Sequence, residues 1–141
     1  MDKTMIELKE TKEINVAEII DSVKSDYCGA IDVFIGTVRD NPTGNKVTKL
    51  FFESYTPMAI SELEKIANSV KEKYQADKVS IVHAIGDCLV GEIAVVIAVS
   101  TPHRKASFDG CQYAINTLKE TVPIWKKEYF EDGSHWVFSH P

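Results

Sequence analysis

Apolar and polar positions alternate along this chain in a pattern that predicts ten elements, in the order β-α-β-β-α-β-β-α-β-β. Residues 4–9 read as a short strand. In INVAEIIDSVK, Val16, Ile19, Ile20 and Val23 share one helical face. Asn15 is the candidate N-cap, Glu18 completes a capping box, and Ile14 with Ile19 form a candidate hydrophobic staple. AIDVFIGTVR and VTKLFFESY read as strands, and the turn formers of DNPTGN between them predict a hairpin. In the following segment, Thr56 and Pro57 predict an N-cap and first helical position, and Leu63, Ile66, Ala67, Val70 and Tyr74 recur at helical spacing.

Two further strands, VSIVHAIG and EIAVVIAVS, flank a turn between Gly86 and Gly91, and the second is apolar enough to lie centrally. A third helix is expected from Thr101 and Pro102 to about Thr121, with Cys111, Ala114, Ile115 and Leu118 inward and Pro123 ending it. IWKKEYF and HWVFS flank EDGS, a hairpin signal. The pattern predicts an α+β domain with mostly antiparallel strands and three helices.

Composition narrows the class. With 141 residues and 44% apolar content, the chain is expected to form one domain over 1–141. A net charge of -5 gives no support to a nucleic-acid-binding face. Charge is unevenly spread, however: residues 100–128 carry a net +2, which leaves -7 on the remainder and hints at an anion site. Cys28, Cys88 and Cys111 are odd in number and lack C-x-x-C spacing, which argues against a disulfide framework and a zinc site. No apolar run approaches the ~20 residues of a membrane span and the first residues are too polar for a signal peptide, so a cytoplasmic location is expected.

The chemistry concentrates in a few places. Gly36 interrupts a strand, as at a bulge or where a ligand approaches closely, and Arg39 follows at the mouth of a loop. His103 and Arg104 are expected in the first turn of the third helix, where cations oppose the macrodipole but an anion would be welcome. Lys119 falls in the last turn of the same helix, where a cation is favourable. Of Lys126 and Lys127, adjacent on a strand, one should face inward. His83 and His135 read as hydrogen-bonded packing residues and the cysteines as small buried groups. Arg104 and Lys119 stand ~22 Å apart along one helix. A single small-ligand pocket using both therefore requires two chains or a helix broken near Gly110, and a dimer is the simpler choice.

Four motifs occur in order: F-x-G-x-V-R at 34–39, E-x-Y-x-x-M at 53–58, the H-R pair at 103–104, and L-K with P-x-W-K-x-E from 118 to 128. Together they resemble the catalytic large-subunit (MoaE) family of molybdopterin synthase, over about residues 29–137. The resemblance implies an α/β-hammerhead fold, a homodimer, and a small ubiquitin-like partner whose C-terminal Gly-Gly thiocarboxylate enters the active site. It implies conversion of cyclic pyranopterin monophosphate to molybdopterin by two sulfur transfers. The implied substrate-binding residues are Phe34, Arg39, His103 and Arg104, the last two from the neighbouring protomer; Lys119 and Lys126 are the implied catalytic pair. No motif calls for a metal or other cofactor. Larger relatives in the family carry a basic tail beyond the last strand, whereas this sequence stops at Pro141.

Overall fold

The computed structural model describes residues 4–41, 44, 46–133 and 135–138. Strand β4 (Lys78–Leu89) organises it by serving two sets of partners. Its first part pairs antiparallel with β5 (Ile93–Thr101), from Lys78↔Ser100 to His83↔Val95, and parallel with β1 (Ile6–Glu10), from Ile6↔Ile81 to Glu10↔Ile85. At Gly86 the backbone takes φ 79°, a conformation that glycine adopts without steric cost. From that point β4 pairs with β3 (Val47–Ser54), Phe52 opposite Gly86 and Lys49 opposite Leu89. Adding β2 (Ala30–Thr37), β6 (Ile124–Phe130) and β7 (His135–Phe138) gives the order β2-β5-β4-β3-β6-β7, with β1 beside β4. All pairings except β1–β4 are antiparallel.

Side-chain alternation on the central strands builds a core on each face. Ile81, Ile97 and Val99 meet Leu63, Ile66 and Val70 of α2 (Thr56–Tyr74) and Cys111, Ala114 and Leu118 of α3 (Arg104–Thr121). Val82, Val96 and Ala98 point the other way and meet Ile19 and Val23 at α1 (Val16–Ser22). Asn15 caps α1 as predicted, its Oδ1 accepting from the Glu18 amide at 3.1 Å, which is the N-cap half of a capping box. The element order matches the apolar pattern, with a 3-10 turn (Thr11–Glu13) added after β1.

Three expectations are corrected. β2 and β3 do not form a hairpin: β2 pairs with β5, and β3 with β4 and β6. The connection is closed by a side chain instead, Asp40 Oδ1 accepting from the amides of Asn41 (2.8 Å) and Val47 (2.9 Å). Pro42, Thr43 and Asn45 of the predicted turn lie outside the described residues. α2 begins one residue earlier than predicted, with Tyr55 as N-cap and Pro57 in the first turn. α3 begins later: His103 is its extended N-cap (φ -127°, ψ 149°), and Pro102 precedes the helix.

Candidate active site

The two ends of α3 are built differently. At its C-terminal end Leu118 is wholly buried, a side chain whose burial contributes about 1.5–3 kcal/mol, and this fixes the phase of the last turn. Lys119 follows on the exposed side. The chain leaves through Val122, whose amide bonds back to Leu118 O at 3.1 Å, and Pro123, whose carbonyl accepts from the Tyr55 amide at 3.2 Å. β6 then starts with buried Ile124, and alternation settles which of the paired lysines turns inward. Lys126 shares the face of Ile124 and pairs with Phe52, whereas Lys127 lies on the other face with its Nζ 5.3 Å from the centre of the Tyr129 ring.

Two adjoining cavities open there. One, of about 340 Å³, is lined by Phe34, Gly36, Phe52, His83, Lys119 and Lys126 among others. The second, of about 570 Å³, is more polar and is lined by Arg39, Asp40, Glu128 and the same two lysines. Thr37, Leu50, Lys119 and Lys126 belong to both walls, so the lysines stand where an apolar compartment meets a charged one. Gly36 explains part of the shape. A Cβ on it would come within 2.8 Å of Val95 Cγ1 and 3.3 Å of the Phe34 ring, and the β2–β5 register shifts between Gly36 and Thr37, so the interrupted strand is a bulge at the cavity wall.

Lys126 is half-buried, and burial lowers the pKa of its ammonium group. Glu128 opposes that shift, and the positive charges of Lys119 and Arg39 add to it. A lysine held in this way gives up its proton more readily than one in water, while Lys119 and Arg39 keep the surroundings attractive to anions.

His103 and Arg104 are not part of this arrangement within one chain. α3 runs unbroken from Arg104 to Thr121, which excludes a break near Gly110; Gly110 instead lets α3 approach α2, since a Cβ there would sit 3.1 Å from Val70 Cγ1. The N-terminal end is held by Thr101 Oγ1 donating to His103 O (2.6 Å) and by the Gly29 amide donating to Pro102 O (3.2 Å). His103 provides no side-chain cap, and Lys105 is paired with Asp109 at 2.7 Å. Among the described residues, no salt bridge neutralises the exposed Arg104.

Three cavity residues escaped the sequence reading as functional candidates. Asp40 and Glu128 were legible only as loop and strand acids. His83, expected as a packing residue, does bond through Nδ1 to Ala84 O at 2.8 Å, yet it also lines the apolar cavity. Its position beside Gly86, where β4 changes partners, is a tertiary fact that periodicity does not carry. Two of the three cysteines are buried as expected, Cys88 and Cys111, and burial pushes both thiols up, away from the reactive thiolate; Cys28, expected to be buried as well, is only partly so.

A family model described as MoaE protein matches residues 9–121. The molybdopterin synthase catalytic subunit of Bacillus subtilis (strain 168) is 47% identical over 124 residues, which cover 88% of this chain and 79% of that protein. The crystal structure of molybdopterin synthase from Staphylococcus aureus superposes with a TM-score of 0.88 at 39% identity, covering 99% of each chain. A Helicobacter pylori chain, solved in a complex of subunits 1 and 2 of molybdopterin-converting factor, shares the fold with a TM-score of 0.76 at 22% identity, over 96% of this chain and 94% of that one. With four-fifths of its length matched by the family model and nearly half of its aligned positions identical to a catalytic subunit, this chain belongs to the MoaE family.

Proposed function

We propose that this protein is the catalytic subunit of a molybdopterin synthase, a sulfurtransferase of molybdenum cofactor biosynthesis. Its substrate is cyclic pyranopterin monophosphate, and its sulfur donor is the thiocarboxylated Gly-Gly end of a small ubiquitin-like subunit. The observation that carries the reading is the position of Lys119 and Lys126 at the junction of an apolar and a charged cavity, with Arg39 alongside.

Both reactants are anions, and fixed cations reduce the repulsion between them while holding them in line. Arg39 suits a phosphate, since a guanidinium gives two parallel hydrogen bonds to its oxygens. Phe34 offers the pterin an apolar wall. Lys119 lies beside the incoming tail, and Lys126, with its lowered pKa, moves protons as each sulfur is transferred. His103 and Arg104 reach the substrate phosphate from a second copy of the chain, because one unbroken helix holds them ~22 Å from Lys119. The assembly is thus a homodimer with a small subunit at each site.

The test is incubation of the protein with cyclic pyranopterin monophosphate and a thiocarboxylated small subunit, followed by detection of dithiolene product. No product from properly folded protein would overturn the reading. The shared site has its own test. Mixing Arg104→Ala chains with Lys119→Ala chains should restore activity, since one site of each mixed dimer keeps both residues. No rescue despite confirmed subunit exchange would refute the shared pocket.

A further inference from the structure

The apolar cavity contains one polar group whose arrangement neither packing nor charge accounts for. His83 is 2% exposed, and its ring meets Phe52 edge-on at 5.0 Å between centres. Nδ1 faces a carbonyl oxygen, which can only accept, so Nδ1 carries the proton and Nε2 presents a lone pair. Nε2 has no hydrogen-bond partner among the described residues. Among the described residues no fully buried side-chain nitrogen or oxygen lacks one, so Nε2 is not sealed off. The small remaining exposure of His83 thus opens to the cavity it lines. An unpaired acceptor in a largely apolar wall is unfavourable until a donor reaches it.

We infer that His83 is a positioning residue whose Nε2 accepts a hydrogen bond from an amide-type N–H brought into the apolar end of the cavity by a ligand. The imidazole suits this task because burial pushes its pKa down to about 4, so that it is neutral and an acceptor at neutral pH. The Ala84 carbonyl fixes both the tautomer and the ring orientation, which leaves the ligand no need to reorganise the site. The inference rests on the sulfur-transfer reading above, which supplies two sources of such an N–H: the pterin ring of the substrate, and the backbone of the Gly-Gly tail.

Nitrogen NMR of protein labelled at the histidine ring nitrogens separates them. Cyclic pyranopterin monophosphate alone and a Gly-Gly-ended small subunit in its unreactive carboxylate form are each added to the intact protein, with binding followed by calorimetry. The expected result is that one ligand moves the His83 Nε2 resonance upfield while Nδ1 remains protonated, and the ligand that does so is the donor. His83→Leu should then weaken that ligand by roughly 5- to 100-fold, the cost of leaving an N–H unpaired, and leave the other unchanged. The resonance is read in the wild-type protein, so the outcome does not depend on the variant folding. Measurable binding of both ligands with a stationary Nε2 resonance overturns the inference and leaves the proposed function standing. Absence of binding by either ligand, together with absence of dithiolene product, removes both.

Discussion

The two ends of α3 each present a cation, in opposite electrostatic settings. Lys119 sits in the last turn, where the helix dipole welcomes positive charge; Arg104 occupies the first helical position, where it does not. Lys119 also lines two cavities of its own chain, whereas Arg104 lines neither. A favourable local setting therefore tells little about function, since a lysine at a helix C-terminus has a structural reason to be there. The unfavourable setting is the more informative, because it needs an outside compensation. The difference teaches that charge at odds with its local field is a better pointer to a ligand than charge in agreement with it.

The largest expected effect tests the C-terminal end. Lys119→Ala should lower turnover by about two to four orders of magnitude, the range for a lost proton-transfer or charge-stabilising group. Its cost in folding, measured by denaturant titration, should stay well under ~1 kcal/mol, as for a surface residue. A large drop in stability with unchanged activity per folded molecule would reduce Lys119 to a helix-end residue and dissolve the contrast.

Next comes the histidine at that same end. His83 is neutral when buried, with a pKa of about 4 against an ordinary 6.5, so the unfolded chain binds more protons between these values. Its contribution is therefore fully present above pH 6.5 and is lost as pH falls toward 4, by up to about 3 kcal/mol in all. His83→Phe should flatten this part of a stability–pH curve measured by urea unfolding. An equally steep curve in the variant would mean that the imidazole does not carry the acid sensitivity.

At the N-terminal end, Arg104→Ala should weaken binding of cyclic pyranopterin monophosphate by roughly 1.5–3 kcal/mol, the value of a charge-assisted contact, and wild-type affinity should fall with added salt. Docking of the small subunit should be nearly unchanged. Calorimetry that finds the reverse would mean that these cations read the partner's tail.

The smallest effect sharpens the comparison most directly. His103 gives no capping hydrogen bond, so His103→Asp should raise stability by about 1 kcal/mol in thermal or denaturant unfolding while lowering substrate affinity. If stability does not rise, the N-terminal end is not strained by its composition and loses its claim as a ligand marker.

Much of this was legible in the sequence, for reasons that can be located. The helical faces of α2 and α3 and the buried run of β5 are local patterns of apolar spacing, and they correspond to the buried residues observed. Alternation on β6 was enough to require that one lysine turn inward; which one follows once Ile124 is seen to be buried, since Lys126 shares its face. Strand pairing was less accessible. A turn-rich loop such as DNPTGN signals a reversal of the chain but not its partner, and Val38 is drawn instead to the β4–β5 turn, its amide bonding to Glu92 O at 3.0 Å. His83 stayed hidden because its bond to the Ala84 carbonyl is what a packing histidine would make, and only the assembled cavity exposes the other ring nitrogen.

The division of β4 at Gly86 sets an order of opening. Amides in 81–83 belong to the stretch that β1 and β5 enclose and should exchange with solvent only near global unfolding. The sheet formed by β3, β6 and β7 joins that body through the short pairing of 49–52 with 86–89, and among the described residues β7 has β6 as its only strand partner. Its amides should exchange by a smaller, separate opening. Lys126 rides on that outer sheet while Lys119 and His83 stay with the inner body, so a partial opening would pull the lysines apart in a molecule that still counts as folded. Catalytic competence should therefore fade, under mild denaturant or gentle heating, before the spectroscopic signature of the fold is lost.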